Sequence, residues 1–214
     1  IDVTGTLSVT ASDGSPGAPG IHLPNGAALL VQGEVSLTVK GGNYSNNYGG
    51  AGIGGNTSEN GPGEACGTVL ILTTEGTTIT GGEGAADIGG GYGNTGYDRA
   101  DNGTGIRKGE DGTYTVYGDL ELPMDVTIPK DIPVTISTGN SLTVPEGVTL
   151  TVAGKLDGDG TVVGRVDLVG GTMATTLKNE YEQFKLDTGK TYWFDLSGVG
   201  IPGMLNSGYN QDSD

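Results

Sequence analysis

The chain has 214 residues, enough for one elongated domain or two small ones, and 43 of them are glycine, about three times the usual ~7% share. That glycine content, beside many stiff β-branched Val, Thr and Ile residues, excludes a compact helical domain. The formal charge of −16, from 26 acidic and 10 basic residues, repels nucleic-acid phosphates and anionic membranes, so neither is expected as a partner. Ca²⁺ or basic partners suit such a surface better.

No apolar run approaches the ~18 residues that a membrane-spanning helix needs. The sequence starts at Ile1 without a basic and then apolar leader, so any signal peptide is expected to lie outside it. The single cysteine, Cys66, rules out an internal disulfide.

In chain order, short alternating runs come first: Leu7/Val9, Leu29/Val31 and Leu37/Val39, then Val69/Ile71, then Val126/Ile128, Val134/Ile136, Leu142/Val144 and Leu150/Val152. Period two predicts strands of three to five residues, with Leu, Val and Ile on one face and Thr, Ser or Lys on the other. Glycine pairs or Pro-x-Gly turns separate the runs and supply the corners.

Two repeat pairs are in register. Pro24-Asn-Gly-Ala-Ala-Leu-Leu-Val-Gln-Gly33 matches Pro145-Glu-Gly-Val-Thr-Leu-Thr-Val-Ala-Gly154. Val39-Lys-Gly41-Gly42 followed by Ala51-Gly-Ile53-Gly-Gly55 recurs as Ile79-Thr-Gly81-Gly82 followed by Ala86-Asp-Ile88-Gly-Gly90, with a shorter connection. Repeats of this kind with such short strands predict an all-β fold, a right-handed parallel β-helix (solenoid) of about seven or eight coils at roughly 20–24 residues each. A hairpin sandwich is the alternative, since Asn25-Gly26 and Asp157-Gly158 are possible hairpin turns.

Composition shifts along the chain: residues 41–112 hold 23 glycines, whereas residues 113–169 hold 7 and read as plainer, tighter coils. The expected organisation is a β-helix over 1–171 and a cap or the start of a following module over 172–205. A disordered tail is expected over 206–214. The only aromatic cluster, Tyr192-Trp193-Phe194, falls in the cap segment.

The chain carries the phrases Gly20-Ile-His-Leu-Pro24, Leu37-Thr-Val-Lys-Gly-Gly42, Ala51-Gly-Ile-Gly-Gly55, Cys66-Gly-Thr-Val69 and Ala86-Asp-Ile-Gly-Gly-Gly-Tyr92. Through them the sequence resembles the Gly-rich β-helical repeat regions of large surface proteins from Gram-positive, often gut-dwelling, bacteria. More distantly, it is similar to a bacterial carbohydrate-binding β-helix family. The resemblance covers about residues 20–170 and departs at Asp87, where glycine is usual, and at the irregular loop 97–112. It implies an exported, multidomain protein, extracellular or at the bacterial cell surface. Such a protein handles glycans or adheres to surfaces, with neighbouring domains in a larger chain.

For catalysis the residues offer little. His22, the only histidine, alternates outward between Ile21 and Leu23, and Cys66 reads as a small buried apolar residue. A carboxylate-based polysaccharide lyase or hydrolase stays open, with Asp157/Asp159, Asp98/Asp101 and Glu110/Asp111 as acid pairs. Arg99, Arg107 and Lys108 read as solvated loop charges. Calcium stays open too, because Asp98, Asp101 and Asn102 offer oxygen ligands before a turn glycine, and Gly81 to Ile88 comes near a nonapeptide Ca²⁺ repeat.

The sharpest expectation is a glycan site. Tyr44 and Tyr48 lie in one Asn-rich loop, and Tyr92 and Tyr97 lie in what reads as the matching loop of the next repeat. Flat tyrosine rings stack on sugars, and amides bond their hydroxyls. The expected function is therefore a non-catalytic surface or secreted module that binds a glycan or host polymer, or presents its neighbours. A purely structural stalk is the third reading. A threonine-array ice-binding surface is not indicated, because no T-x-T array repeats in register along the sequence.

Overall fold

The computed structural model describes residues 5–14, 17–44, 49–58, 63–91, 103–109 and 111–178. These residues are all-β, and nearly all strand pairs are parallel. The first nine strands come as three consecutive triplets. They are β1 (Gly5–Thr10), β2 (Ile21–His22) and β3 (Ala28–Gly33), then β4 (Val35–Lys40), β5 (Ile53–Gly54) and β6 (Thr68–Thr73), then β7 (Thr77–Thr80), β8 (Ile88–Gly89) and β9 (Gly105–Lys108).

Each strand pairs with its equivalent in the next triplet, giving the orders β1-β4-β7, β2-β5-β8 and β3-β6-β9. Like residues therefore stack, with Val9 on Val39 on Ile79 and Ile21 on Ile53 on Ile88. The repeat here is longer than the 20–24 residues expected, because Leu7 pairs with Leu37 and Leu37 with Thr77, 30 and 40 positions apart. The surplus sits in the glycine-rich connections between short strands.

The plainer half keeps the expected spacing. Its strands are β10 (Tyr114–Tyr117), β11 (Leu120–Glu121) and β12 (Val126–Ile128), then β13 (Pro133–Ile136), β14 (Ser141–Val144) and β15 (Leu150–Val152), then β16 (Lys155–Gly164), β17 (Val166–Leu168) and β18 (Thr172–Lys178). Tyr114 pairs with Val134, Leu120 with Leu142 and Val126 with Leu150, offsets of 20, 22 and 24. Strand β16 serves two pairings, its first part beside β13 and its second beside β14. It bends between them at Gly158, whose φ of 106° only glycine adopts without strain. Thr172, where the repeat pattern fades in the sequence, opens β18, which pairs in parallel with β16. Residues 179–214, the rest of the expected cap and tail, lie outside the described residues.

The halves meet in one antiparallel pair. After β9 the chain turns at Gly112 (φ 81°), with Asp111 Oδ1 accepting the Thr113 N–H at 3.0 Å, and returns as β10. One ladder of side chains then runs Leu30, Leu70, Ile106, Val116, Ile136 across the joint. It packs into the core of the second half with Leu120, Leu142 and Leu150. The opposite face of β3 and β6 carries Leu29, Val31, Val69 and Ile71 into a separate core with Leu37, Val39 and Ile53.

This corrects the simple alternation expected for those two strands. Ala28-Leu-Leu-Val31 and Val69-Leu-Ile-Leu72 are continuous apolar runs because cores lie on both of their faces, and Val69 to Thr73 are all buried.

Candidate functional site

Glycine corners fix the geometry of the surface. A Cβ on Gly82 would run into the Gly42 carbonyl oxygen, and one on Gly42 into that of Ser12, so backbones of successive triplets touch directly. The approach is secured by hydrogen bonds: Gly42 N–H to Ala18 O at 2.9 Å, Gly50 N–H to Gly42 O at 2.9 Å and Gly82 N–H to Gly50 O at 2.8 Å. Next to them Asp13 Oδ1 accepts the Asn43 N–H at 2.7 Å, and Asn43 Oδ1 accepts the Glu83 N–H at 2.9 Å. The Asn43 amide oxygen therefore serves the stacking of the corner, and half-buried Tyr44 follows on this rigid base.

Tyr48, Tyr92 and Tyr97, together with Asp98, Asp101 and Asn102, lie outside the described residues. The register nonetheless changes the expected relation of the two tyrosine loops. Ile53-Gly54 pairs with Ile88-Gly89, so the glycines before Tyr92 correspond to those after Ile53, not to the pair before Tyr44. Residues 43–49 connect β4 to β5, whereas Tyr92 and Tyr97 belong to the connection from β8 to β9. They leave from different corners.

The outer face of the β1-β4-β7 sheet carries rows of hydroxyl side chains. Ser8, Thr38 and Thr78 align across the three strands, as do Thr10, Lys40 and Thr80, with Thr6 beside Ser36. All but half-buried Ser36 are exposed. These rows mix Ser, Thr and Lys, and only β7 carries a Thr-x-Thr pair, so the face is a mixed hydroxyl array and not a T-x-T array. The rows join residues 30 and 40 positions apart, so no fixed spacing marks them in the sequence.

A second polar cluster lies at the β2-β5-β8 sheet. His22 points outward as expected, and its Nε2 lies 2.7 Å from Glu64 Oε2 and 3.1 Å from Asn56 Nδ2. Glu64 Oε2 also accepts the Asn56 N–H at 3.2 Å. The hydrogen bond to His22 holds the Glu64 carboxyl below its ordinary range, helped by the Asn56 amide. Nothing in the sequence linked these three residues, which come together only through the pairing of β2 with β5.

Other acids serve the scaffold. Asp87, in the segment resembling a Ca²⁺ repeat, accepts the Gly81 N–H at 2.8 Å and closes a turn. Asp111 is lowered by the Thr113 hydroxyl and amide, and Asp157 by its ion pair with Lys155 and by the Gly158 N–H. Among the described residues, no group of three or more His, Cys, Asp or Glu converges as a metal site would.

Arg107 is not a solvated loop charge. It is buried in β9, its guanidinium stacks 4.8 Å from the centroid of Tyr117, and it donates to Gly103 O at 2.7 Å. Lys108, at the end of the same strand, donates to Glu75 O at 3.2 Å. Cys66 is buried in the first core.

The lowered carboxyls set a pH dependence. A group whose pKa is depressed by folding stabilises the fold fully above the ordinary carboxylate range, and that stability is lost as pH falls through the depressed value. Thermal melts are therefore expected to hold steady from neutral pH down to that range and to weaken below it. Glu64→Gln should flatten part of the acid limb, and an identical limb in this variant would refute its share.

No protein-family model matches the chain, and neither a curated protein nor a solved structure matches it.

Proposed function

We propose that this chain is a right-handed parallel β-helix that works as a non-catalytic, extracellular binding module for glycans, carried among the neighbouring domains of a larger surface protein. The strand triplets favour winding in one sense throughout. At the β9–β10 turn the strand direction reverses, and the core-bearing face of the shared sheet reverses with it. Two reversals leave the sense of rotation unchanged while the stack advances in one direction. The right hand follows from the preference of parallel crossovers.

The observation that carries the binding reading is the corner at Gly41 and Gly42. Backbone packed on backbone makes a rigid base there, and the polar loop that it presents begins with Asn43 and Tyr44. Binding residues on loops held by a rigid scaffold need little ordering when a ligand arrives. Replacing Tyr44, Tyr48, Tyr92 and Tyr97 together by Ala is expected to weaken glycan-array signals by about tenfold or more, with the melting temperature unchanged. A wild-type protein that binds no glycan on the array would refute the reading.

A further inference from the structure

The geometry points to the outer face of the β1-β4-β7 sheet as a docking surface for an insoluble, neutral polysaccharide lying flat across the strands. This deepens the glycan reading and rests on it. Three observations converge on this face. Its side chains are held in register by the parallel pairing, with Ser8, Thr38 and Thr78 in one row and Thr10, Lys40 and Thr80 in the next. A chain laid across the strands meets a polar group every ~4.8 Å, and neighbouring rows are ~6.6 Å apart. That is the scale on which the hydroxyls of a pyranose polymer repeat.

The face is also exposed, and its only charge is Lys40. The chain as a whole has 26 acidic residues, and two of them stand on sheet positions elsewhere, Glu121 beside Thr143 and Asp157 beside Thr135. An acid-free hydroxyl face on so acidic a protein suits a neutral polyhydroxyl surface. Hydroxyls both donate and accept, so they match sugar hydroxyls in either orientation.

The adjacent corner adds continuity. The stack of Asp13, Asn43 and Glu83 follows these strands directly and runs parallel to the hydroxyl rows, and Tyr44 comes next, so the polar face continues along the strand direction into the Tyr44 corner.

The test is cosedimentation with microcrystalline cellulose and with insoluble chitin, using the wild type, a Ser8→Ala/Thr38→Val/Thr78→Val variant and a Thr38→Asp variant. Valine keeps the shape and strand preference of threonine while removing its hydroxyl, and the aspartate supplies the charge that the face lacks. The expected result is wild-type binding to at least one solid, and about tenfold or greater weakening in both variants at an unchanged melting temperature. Binding unchanged in both variants overturns the face but leaves the glycan reading standing, provided the tyrosine variant loses its array signal. Failure of the wild type on both the solids and the array overturns both. Ice shaping by the wild type that is lost in the triple variant, without polysaccharide binding, assigns the face to ice and overturns the proposal.

Discussion

Gly82→Ala is expected to lower stability by about 3 kcal/mol, the upper end of the usual cost of overpacking. This corresponds to a fall of about 6–12 °C in melting temperature for a chain of this size. The new methyl would overlap the Gly42 carbonyl oxygen and approach Gly49, and every one of these atoms is backbone. A flexible side chain could swing away, but a main chain hydrogen-bonded on both sides cannot. Gly139→Ala makes the matching control. Its φ of 86° strains any other residue, yet a Cβ there meets nothing within 4 Å. Only the conformational cost of about 1–2 kcal/mol is expected. Thermal melts of the two variants separate contact from conformation, and equal losses would show that the corner yields more readily than its hydrogen bonds imply.

The repeat-bearing glycines were legible in the sequence because they recur beside alternating apolar residues, and the short parallel strands followed from them. Ile53 and Ile88 stack as their shared Ala-x-Ile-Gly-Gly phrase suggested. The repeat length was legible only in the plainer half, where turns are tight and strand partners lie 20, 22 and 24 positions apart. In the glycine-rich half the connections differ in length, so no fixed period exists to be found. The same irregularity concealed the hydroxyl rows on the first sheet and the meeting of His22 with Glu64. Both are created by pairing between strands 30 or more positions apart. The buried position of Arg107 was illegible for another reason. Its neighbours Gly105 and Gly109 read as loop, whereas the hairpin with Tyr114–Tyr117 makes the segment a strand and supplies an aromatic ring for the guanidinium.

The shared sheet yields the other large effect. Leu70 and Ile71 are adjacent and fully buried, but they enter different cores, Leu70 with Ile106 and Val116 and Ile71 with Val69 and Ile53. Leu70→Ala and Ile71→Ala are each expected to cost about 2–5 kcal/mol, the range for deleting a large aliphatic side chain from a packed interior. The cost falls on different halves of the protein, which makes the pair diagnostic of coupling. Strands β3, β6, β9 and β10 belong to one hydrogen-bonded sheet, so neither half can lose its core without exposing the other face of that sheet. Urea unfolding followed by far-ultraviolet circular dichroism is therefore expected to show one transition, with its midpoint lowered by either substitution. Two separate transitions, one moved by Leu70→Ala and the other by Ile71→Ala, would mean that the halves unfold independently and that the sheet joins them without coupling them.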